Sequence, residues 1–270
     1  MIALGDRMGY RLQGLRVPCP RLARPLRILH LSDTHLLVND KAKQRFIRRV
    51  TDDEWDFVFH TGDICEEAAA ESLFPELLSR QPRHGAYAVL GNHDHMRLTR
   101  REQFIELVTR RRLDLPDRMS DGRASQTRLE AGGRWRVLMN EAVSHDIDDQ
   151  QVVVAGVDDP FTHHGDLQQT MRHVKRADVL IGLVHVPTDL ASFSQRGFDL
   201  VLCGHTHGGQ IRLPGLGAMV TQCDLPRRHA RGLHQVERTA VHVSQGMGAG
   251  TLFRMRVMCP PTAYAILLGG

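Results

Sequence analysis

Five short groups of metal-binding residue types recur along the chain: Asp33-Thr34-His35, Gly62-Asp63, Gly91-Asn92-His93-Asp94, His185 and Gly204-His205-Thr206-His207. Carboxylate, imidazole and amide oxygen together suit borderline divalent cations such as Mn, Fe, Zn or Ni. Asp33 and His35 lie two apart, so an extended backbone turns both to one face, and the same holds for His205 and His207. Two cations about 3.5–4 Å apart need a bridging carboxylate, and together they generate hydroxide at neutral pH. Glycines at 62, 91 and 204 let the chain turn sharply and approach a cation closely. Each group alone is weak evidence: Gly-Asp is a common turn, and His185 in Leu183-Val184-His185 reads equally well as a core histidine. The weight lies in five groups in order, each closing an apolar run.

Those apolar runs are the elements that must position the chemistry. Leu26 to Leu31 reads as a strand ending in Ser32-Asp33, and Phe57 to His60 as a strand ending in Gly62-Asp63. Ala86 to Leu90 leads into the Gly91 group, Val179 to His185 carries its histidine at the end, and Phe198 to Cys203 runs into Gly204-His205. Between them, a helix from an Asp40 N-cap to about Val50 buries Phe46, Ile47 and Val50. Residues 66–80 read as helical with an interruption at Pro75. Thr99 with Glu102 signals a helix carrying Phe104, Ile105, Leu107 and Val108. Residues 114–133 read as a polar loop, with strands near 134–139 and 152–157, a helix near 166–176, and short strands near 240–244, 252–257 and 263–268. Alternating strand and helix implies parallel pairing through crossover helices, and in such sheets ligand sites gather at the carboxyl ends of the strands. The whole is an α/β chain with helices outside and sheet inside. An N-terminal arm spans residues 1–25 and packs on one domain spanning 26–270.

Composition narrows the classes. The 270 residues suffice for one large domain. A net charge of +4 suits an anionic partner such as a phosphate ester, a nucleotide or an acidic lipid surface, although a solvated basic face is the commoner explanation. Aromatics make up only 5% of residues and no recognised binding motif accompanies the basic charge, so specific nucleic-acid binding is not expected. Five scattered cysteines with no CxxC pair point to a reducing compartment. The N-terminus lacks a continuous apolar segment and no stretch has the length of a transmembrane span. A cytoplasmic location follows as the expectation, with peripheral contact at a membrane surface left open.

The ordered set Asp33-x-His35, Gly62-Asp63, Gly91-Asn92-His93-Asp94, His185 and Gly204-His205-x-His207 resembles the calcineurin-like metallophosphoesterase superfamily from about residue 27 to about residue 213. The stretch Gly204 to Ile211, GHTHGGQI, resembles a bacterial phosphodiesterase branch that includes pyrophosphatases acting on UDP-diacylglucosamine. The resemblance implies a four-layer α-β-β-α sandwich of two facing mixed sheets flanked by helices. It implies two divalent cations: one held by Asp33, His35, Asp63 and His207, the other by Asp63, Asn92, His185 and His205. It further implies that His93 stands near the phosphate and protonates the leaving oxygen, with Asp94 hydrogen-bonded to it as the orienting carboxylate. The expected activity is hydrolysis of a phosphodiester by in-line attack of a bridging hydroxide, with a nucleotide-sugar lipid pyrophosphatase as the alternative. A non-catalytic scaffold is the reading from another class, and complete ligand positions argue against it.

Other features carry two readings each. Asp158-Asp159 with His163-His164 could form a further metal site or a polar loop over the site's mouth. The run Gly246 to Gly250 could cradle phosphate or simply turn, since no Lys-Ser/Thr completes a P-loop. Cys65 and Cys203 could be ligands or core thiols, and His95 and Arg97 could touch substrate.

Overall fold

In a computed structural model of the chain, the described residues are 4–5, 9–96, 122–172, 174–213, 217–218, 223, 225–249 and 255–270. The expected helix after Thr99, Arg97 and much of the 114–133 and 252–257 segments lie outside them.

Two sheets face each other. Strands β1 (Leu4–Gly5), β2 (Arg11–Val17), β3 (Leu26–Leu31), β4 (Phe57–Thr61), β5 (Ala86–Val89) and β6 (Arg136–Val137) join the C-terminal β15 (Thr262–Leu268) in the order β1-β2-β15-β3-β4-β5-β6. The second sheet runs β13-β14-β10-β9-β8-β7, from β7 (Glu141–Ile147), β8 (Gln150–Gly156), β9 (Val179–Leu183), β10 (Leu200–Cys203), β13 (Gly232–Val236) and β14 (Thr239–Val243). A separate ladder pairs β11 (Arg212–Leu213) with β12 (Gly217–Ala218). Pairing is parallel from β3 through β6 and across β8, β9, β10 and β14, with antiparallel strands at the flanks, so both sheets are mixed. Residues 11–17 of the expected arm are thus a strand of the first sheet, parallel to β15.

The period of two along each strand builds the layers. On β3, Ile28 joins the core between the sheets while Leu29 and Leu31 join the outer core. On β4, Phe57 and Phe59 point inward and Val58 outward. The outer core of the first sheet is closed by helix α1 (Lys41–Thr51) through Phe46, Ile47 and Val50, and by the segment of α2 (Ala68–Leu73) with its following 3-10 turn through Ala70, Phe74 and Leu77. Asp40 caps α1 by accepting from the Lys43 N–H, and Pro75 sits in the 3-10 turn where the helix tightens. Among the described residues, two further short helices follow α2 before the second sheet: α3 (Asn92–His95), a single turn, and α4 (Arg123–Leu129). Phe193 of α6 (Leu190–Gln195) and, less deeply, Leu167 and Met171 of α5 (Leu167–Met171) cover the outer face of the second sheet. Helix, sheet, sheet, helix is the four-layer architecture expected.

Two expectations are corrected, and β7 is a strand for which the sequence carries no expectation. Residues 123–129 form helix α4 within the supposed loop, where Ser125 reaches Glu71 of α2 at 2.8 Å and Leu129 enters the core. Strand β7 hairpins onto β8 through Asp148 and Asp149, both at positive φ, a turn that Asp tolerates. The expected helix near 166–176 stops at Met171. Among the described residues no helix is long and apolar enough to cross a membrane.

Three imidazoles are entombed in this core, and burial first of all holds each below its ordinary pKa: His60 and His242 down to about 3, and His30 also well below. The unfolded chain takes up a proton on each ring below about pH 6.5, whereas the folded chain refuses it. The stability they contribute is complete above that pH and drains as pH falls toward 3, with a slope of about 1.4 kcal/mol per pH unit for each ring. Imidazole NMR titration should find His242 still neutral at pH 5, with the denaturation midpoint falling from pH 7 to 5; a His242 titrating near 6.5 would contradict this.

Candidate metal centre

The loops that leave β3 and β4 keep the parallel register of their strands. Asp33 N–H donates to Gly62 O, His35 N–H to Asp63 O and Leu36 N–H to Ile64 O, at 3.0, 3.0 and 2.9 Å. Glu66 N–H then returns to Leu36 O at 3.0 Å. This continued pairing carries Asp33, His35, Asp63 and Glu66 to one spot. In the other sheet, Gly204 N–H donates to His185 O at 2.9 Å and aligns the ends of β9 and β10. The two halves meet where His205 N–H donates to Asp33 Oδ1 at 2.9 Å.

The ligand-type side chains converge. Asp33, His35, Asp63 and His207, all buried, offer donor atoms within 4.8 Å of one another. His35 Nε2 lies 3.3 Å from His207 Nε2 and 3.5 Å from Asp63 Oδ2. On the other side of Asp63, His185 Nε2 lies 3.4 Å from the same Oδ2 and 3.3 Å from His205 Nδ1. The second ring nitrogen of His185 bonds Thr61 O at 2.7 Å, which aims Nε2 at the place a cation would take. Asn92 Oδ1 is buried with no hydrogen-bond partner among the described residues, which is what an oxygen reserved for a cation looks like. Glycines 62, 91 and 204 fit the same purpose: a Cβ would sit 2.5 Å from His185 Nδ1, 2.3 Å from Asp63 Oδ1 and 2.0 Å from Ser32 Oγ, respectively.

The local backbone is not the extended one expected for the Asp-x-His and His-x-His pairs. Asp33, His35, Asp63, His205 and His207 have φ of 46°, 41°, 52°, 68° and 49°. Left-handed kinks, rather than the two-residue period, bring each pair to the centre, and Asp and His accept that region more readily than most residues.

His93 stands at the rim, with 18% of its side chain exposed and its ring centroid 4.9 Å from that of His35. Its N–H donates to Asp63 Oδ1 at 2.9 Å. The expected contact with Asp94 is not made. Asp94 instead accepts the N–H groups of Gly91 and Ile64 at 2.9 and 3.0 Å, locking the α3 turn to the β4 loop. The acid facing His93 is Glu66, 3.8 Å from its Nδ1 and hydrogen-bonded to His35 Nδ1. A carboxylate on the far nitrogen of a ligand histidine fixes its tautomer. Glu66 was missed in the sequence; its only signal is its place three residues after Asp63.

The other candidates resolve into supports. His95 is buried and bonded to Asp158 Oδ1 at 2.8 Å, with His164 stacked on its ring at 4.5 Å, so it faces the Asp158 loop and not solvent. The glycine run braces the Asp33 loop: Met247 N–H donates to Ser32 O at 3.1 Å, Gly248 N–H to Asp33 O at 2.5 Å, and a Cβ on Gly246 would meet Asp33 Cβ at 2.7 Å. Cys65 and Cys203 are fully buried among apolar neighbours, and burial pushes the Cys203 thiol up.

Electrostatics favour cations here. Burial opposes a charge on His185, but the Asp63 carboxylate beside it overrides burial and pushes its pKa up to about 10. Burial likewise works to raise Asp63, and the charges of His185 and His93 outweigh it and hold the carboxyl well below its ordinary range. Asp33 is raised, with burial the main cause.

The sequence model of the calcineurin-like phosphoesterase family matches residues 26–209. The metallophosphoesterase YkoQ of Bacillus subtilis (strain 168) is 27% identical over 230 residues, covering 83% of this chain and 77% of that protein. The phosphodiesterase YaeI of Escherichia coli (strain K12) is 25% identical over 249 residues, covering 88% and 80%. A Bos taurus transmembrane protein with a metallophosphoesterase domain is 30% identical over 249 residues; the match covers 86% of this chain and 51% of that longer protein.

With a proton as the counter-ion of Asp63, His185 is an imidazolium at neutral pH, and a divalent cation must expel that proton to bind. Affinity for Mn(II) should therefore rise with pH up to about 10, with release at pH 7 of about one proton from His185 and a further share from His35, whose pKa is also raised, against burial, by the acids around it. Calorimetric titration in buffers of different ionisation enthalpy measures this, and binding without proton release would show His185 neutral beforehand.

Proposed function

This chain belongs to the calcineurin-like phosphoesterase family, and from that membership we propose that it is a phosphodiesterase working through the nine residues named from its sequence. It is a metal-dependent phosphoester hydrolase, and its family uses two divalent cations. The observation that carries the assignment of ligands is Asp63 Oδ2, 3.5 Å from His35 Nε2 on one side and 3.4 Å from His185 Nε2 on the other. One carboxylate oxygen faces two sets of donors. Asp33, His35, Asp63 and His207 would hold the first cation; Asp63, Asn92, His185 and His205 would hold the second.

When bound, the cations supply Lewis acidity toward the phosphoryl oxygens and hydroxide for in-line displacement at phosphorus. The chain's own groups do the rest. His93, partly exposed beside the ligand cluster, donates a proton to the departing ester oxygen, and Glu66 near its Nδ1 steadies the imidazolium. Asp94 serves by position: its two bonds to Gly91 and Ile64 hold the turn that presents Asn92 and His93. Preference for diesters rests on the resemblance to YaeI, whose name is that of a phosphodiesterase.

Two measurements test this. His93→Ala should lower kcat roughly 10²–10⁴-fold while both cations remain bound; full activity in that variant would remove His93 from proton transfer. With Mn(II), an aryl phosphodiester should be cleaved faster than an aryl phosphomonoester or a nucleotide-sugar lipid pyrophosphate, and the reverse order would overturn the diester preference.

A further inference from the structure

The layer between the two sheets is largely apolar, and its fully buried polar side chains include a set beside the metal centre. There β3 turns His30 inward, β4 turns Thr61 inward, and β14 turns His242 inward, all fully buried. The three are linked in a line. His242 Nδ1 lies 3.0 Å from His30 Nδ1, His30 Nε2 lies 2.9 Å from Thr61 Oγ1, Thr61 Oγ1 lies 2.8 Å from Ser32 Oγ, and Ser32 Oγ lies 2.5 Å from Asp33 Oδ2.

The proton positions along this line follow from its end. An ionised carboxylate only accepts, so the Ser32 hydroxyl donates to Asp33. Ser32 then accepts from Thr61, whose single proton is thereby spent. Thr61 oxygen accepts in turn from His30 Nε2–H. A neutral His30 protonated at Nε2 offers a lone pair at Nδ1, which accepts from His242 Nδ1–H. That leaves His242 Nε2 bare, and it is indeed buried without a hydrogen-bond partner among the described residues. Every donor points toward Asp33. Such a chain polarises along its length and strengthens its last bond. It ends blind in the core, so it carries no proton to solvent. Its effect is to tie Asp33 Oδ2 and leave Oδ1 facing His207 Nε2 at 3.8 Å.

We infer that His242, His30, Thr61 and Ser32 are positioning residues that set the affinity of the Asp33 side of the centre for its divalent cation. The inference rests on the two-cation reading above. Thr61 makes it separable, because its hydroxyl serves Asp33 while its backbone oxygen holds His185, at 2.7 Å, on the other side.

The test is calorimetric titration of the full chain with Mn(II). The wild-type chain binds two equivalents; fewer than two would overturn the two-cation reading itself. Thr61→Val removes the hydroxyl and keeps shape and backbone. It should weaken one equivalent about 10–100-fold, the range for loss of a group that supports a ligand, and leave the other unchanged. Thr61→Ser should restore the wild-type isotherm. Two unaltered equivalents in Thr61→Val, or equal weakening of both, would overturn the relay while leaving the two-cation reading intact. If Thr61→Val does not fold, His242→Phe breaks the line at its far end, without touching any ligand. It should weaken the same equivalent several-fold, and an unchanged isotherm would overturn the proposal.

Discussion

A single buried carboxylate governs this structure. Asp63 is 2% exposed, ionised, and flanked on one oxygen by His35 and His185. An isolated charge taken that far from water costs several kcal/mol even after relaxation. It stays ionised because positive charge is drawn to it, whether a proton on His185 or a divalent cation. His185 answers from the second sheet and His35 from the first. The fold is therefore organised so that two independent sheets present positive or cation-binding groups to one acid.

Reaching that acid strains the backbone. Five of the ligand-type residues have left-handed φ, a conformation that costs of order 1–3 kcal/mol each for residues other than glycine. The strain is held by hydrogen bonds that continue the β3–β4 register past the strand ends and by the glycine run that packs on the Asp33 loop. Asp94 belongs to the same bracing. Burial raises its carboxyl to about 7, with the Asp63 charge adding to the rise, and the N–H groups of Gly91 and Ile64 oppose it. It spends its hydrogen bonds on the turn and not on His93.

How much of this is legible in the residues differs by scale. The strand ends are legible because a short apolar run closing on Asp, His or Gly-Asn has few other physical explanations, and each such run named from the sequence is a strand here. Layer order is not legible in the residues themselves, since Ile28 and Leu29 are both apolar yet enter different cores; only the family resemblance implied it. The left-handed φ values are not legible, since Asp-x-His in an extended chain also puts both side chains on one face. Glu66 is hidden because its role depends on loop pairing beyond the strand, which no local pattern encodes. Helix α4 is hidden because its one strongly apolar anchor, Leu129, is surrounded by polar residues, and its place is fixed by Glu71, which takes Ser125 and Arg128 from a distant segment. Asp94 is the instructive case: adjacency to His93 suggests partnership, but a one-turn helix directs neighbouring side chains to different sides.

The inner layer shows how a site can be built without opening the core to water. Facing sheets need apolar side chains between them, and Phe57, Phe59, Val154, Ile181 and Leu202 supply these. Toward the strand ends that lead to the centre, the inward positions change to His242, His30 and Thr61, each neutral, with His30 hydrogen-bonded to both of the others. Neutral imidazole pairs cost less to bury than ions, yet they transmit orientation through defined donors and acceptors. Asp33 thus receives a directional bond from inside the core and a second from His205 N–H across the sheet boundary. Its carboxylate is fixed from two sheets at once, as Asp63 is, and the spacing of the sheets becomes the spacing of the ligands.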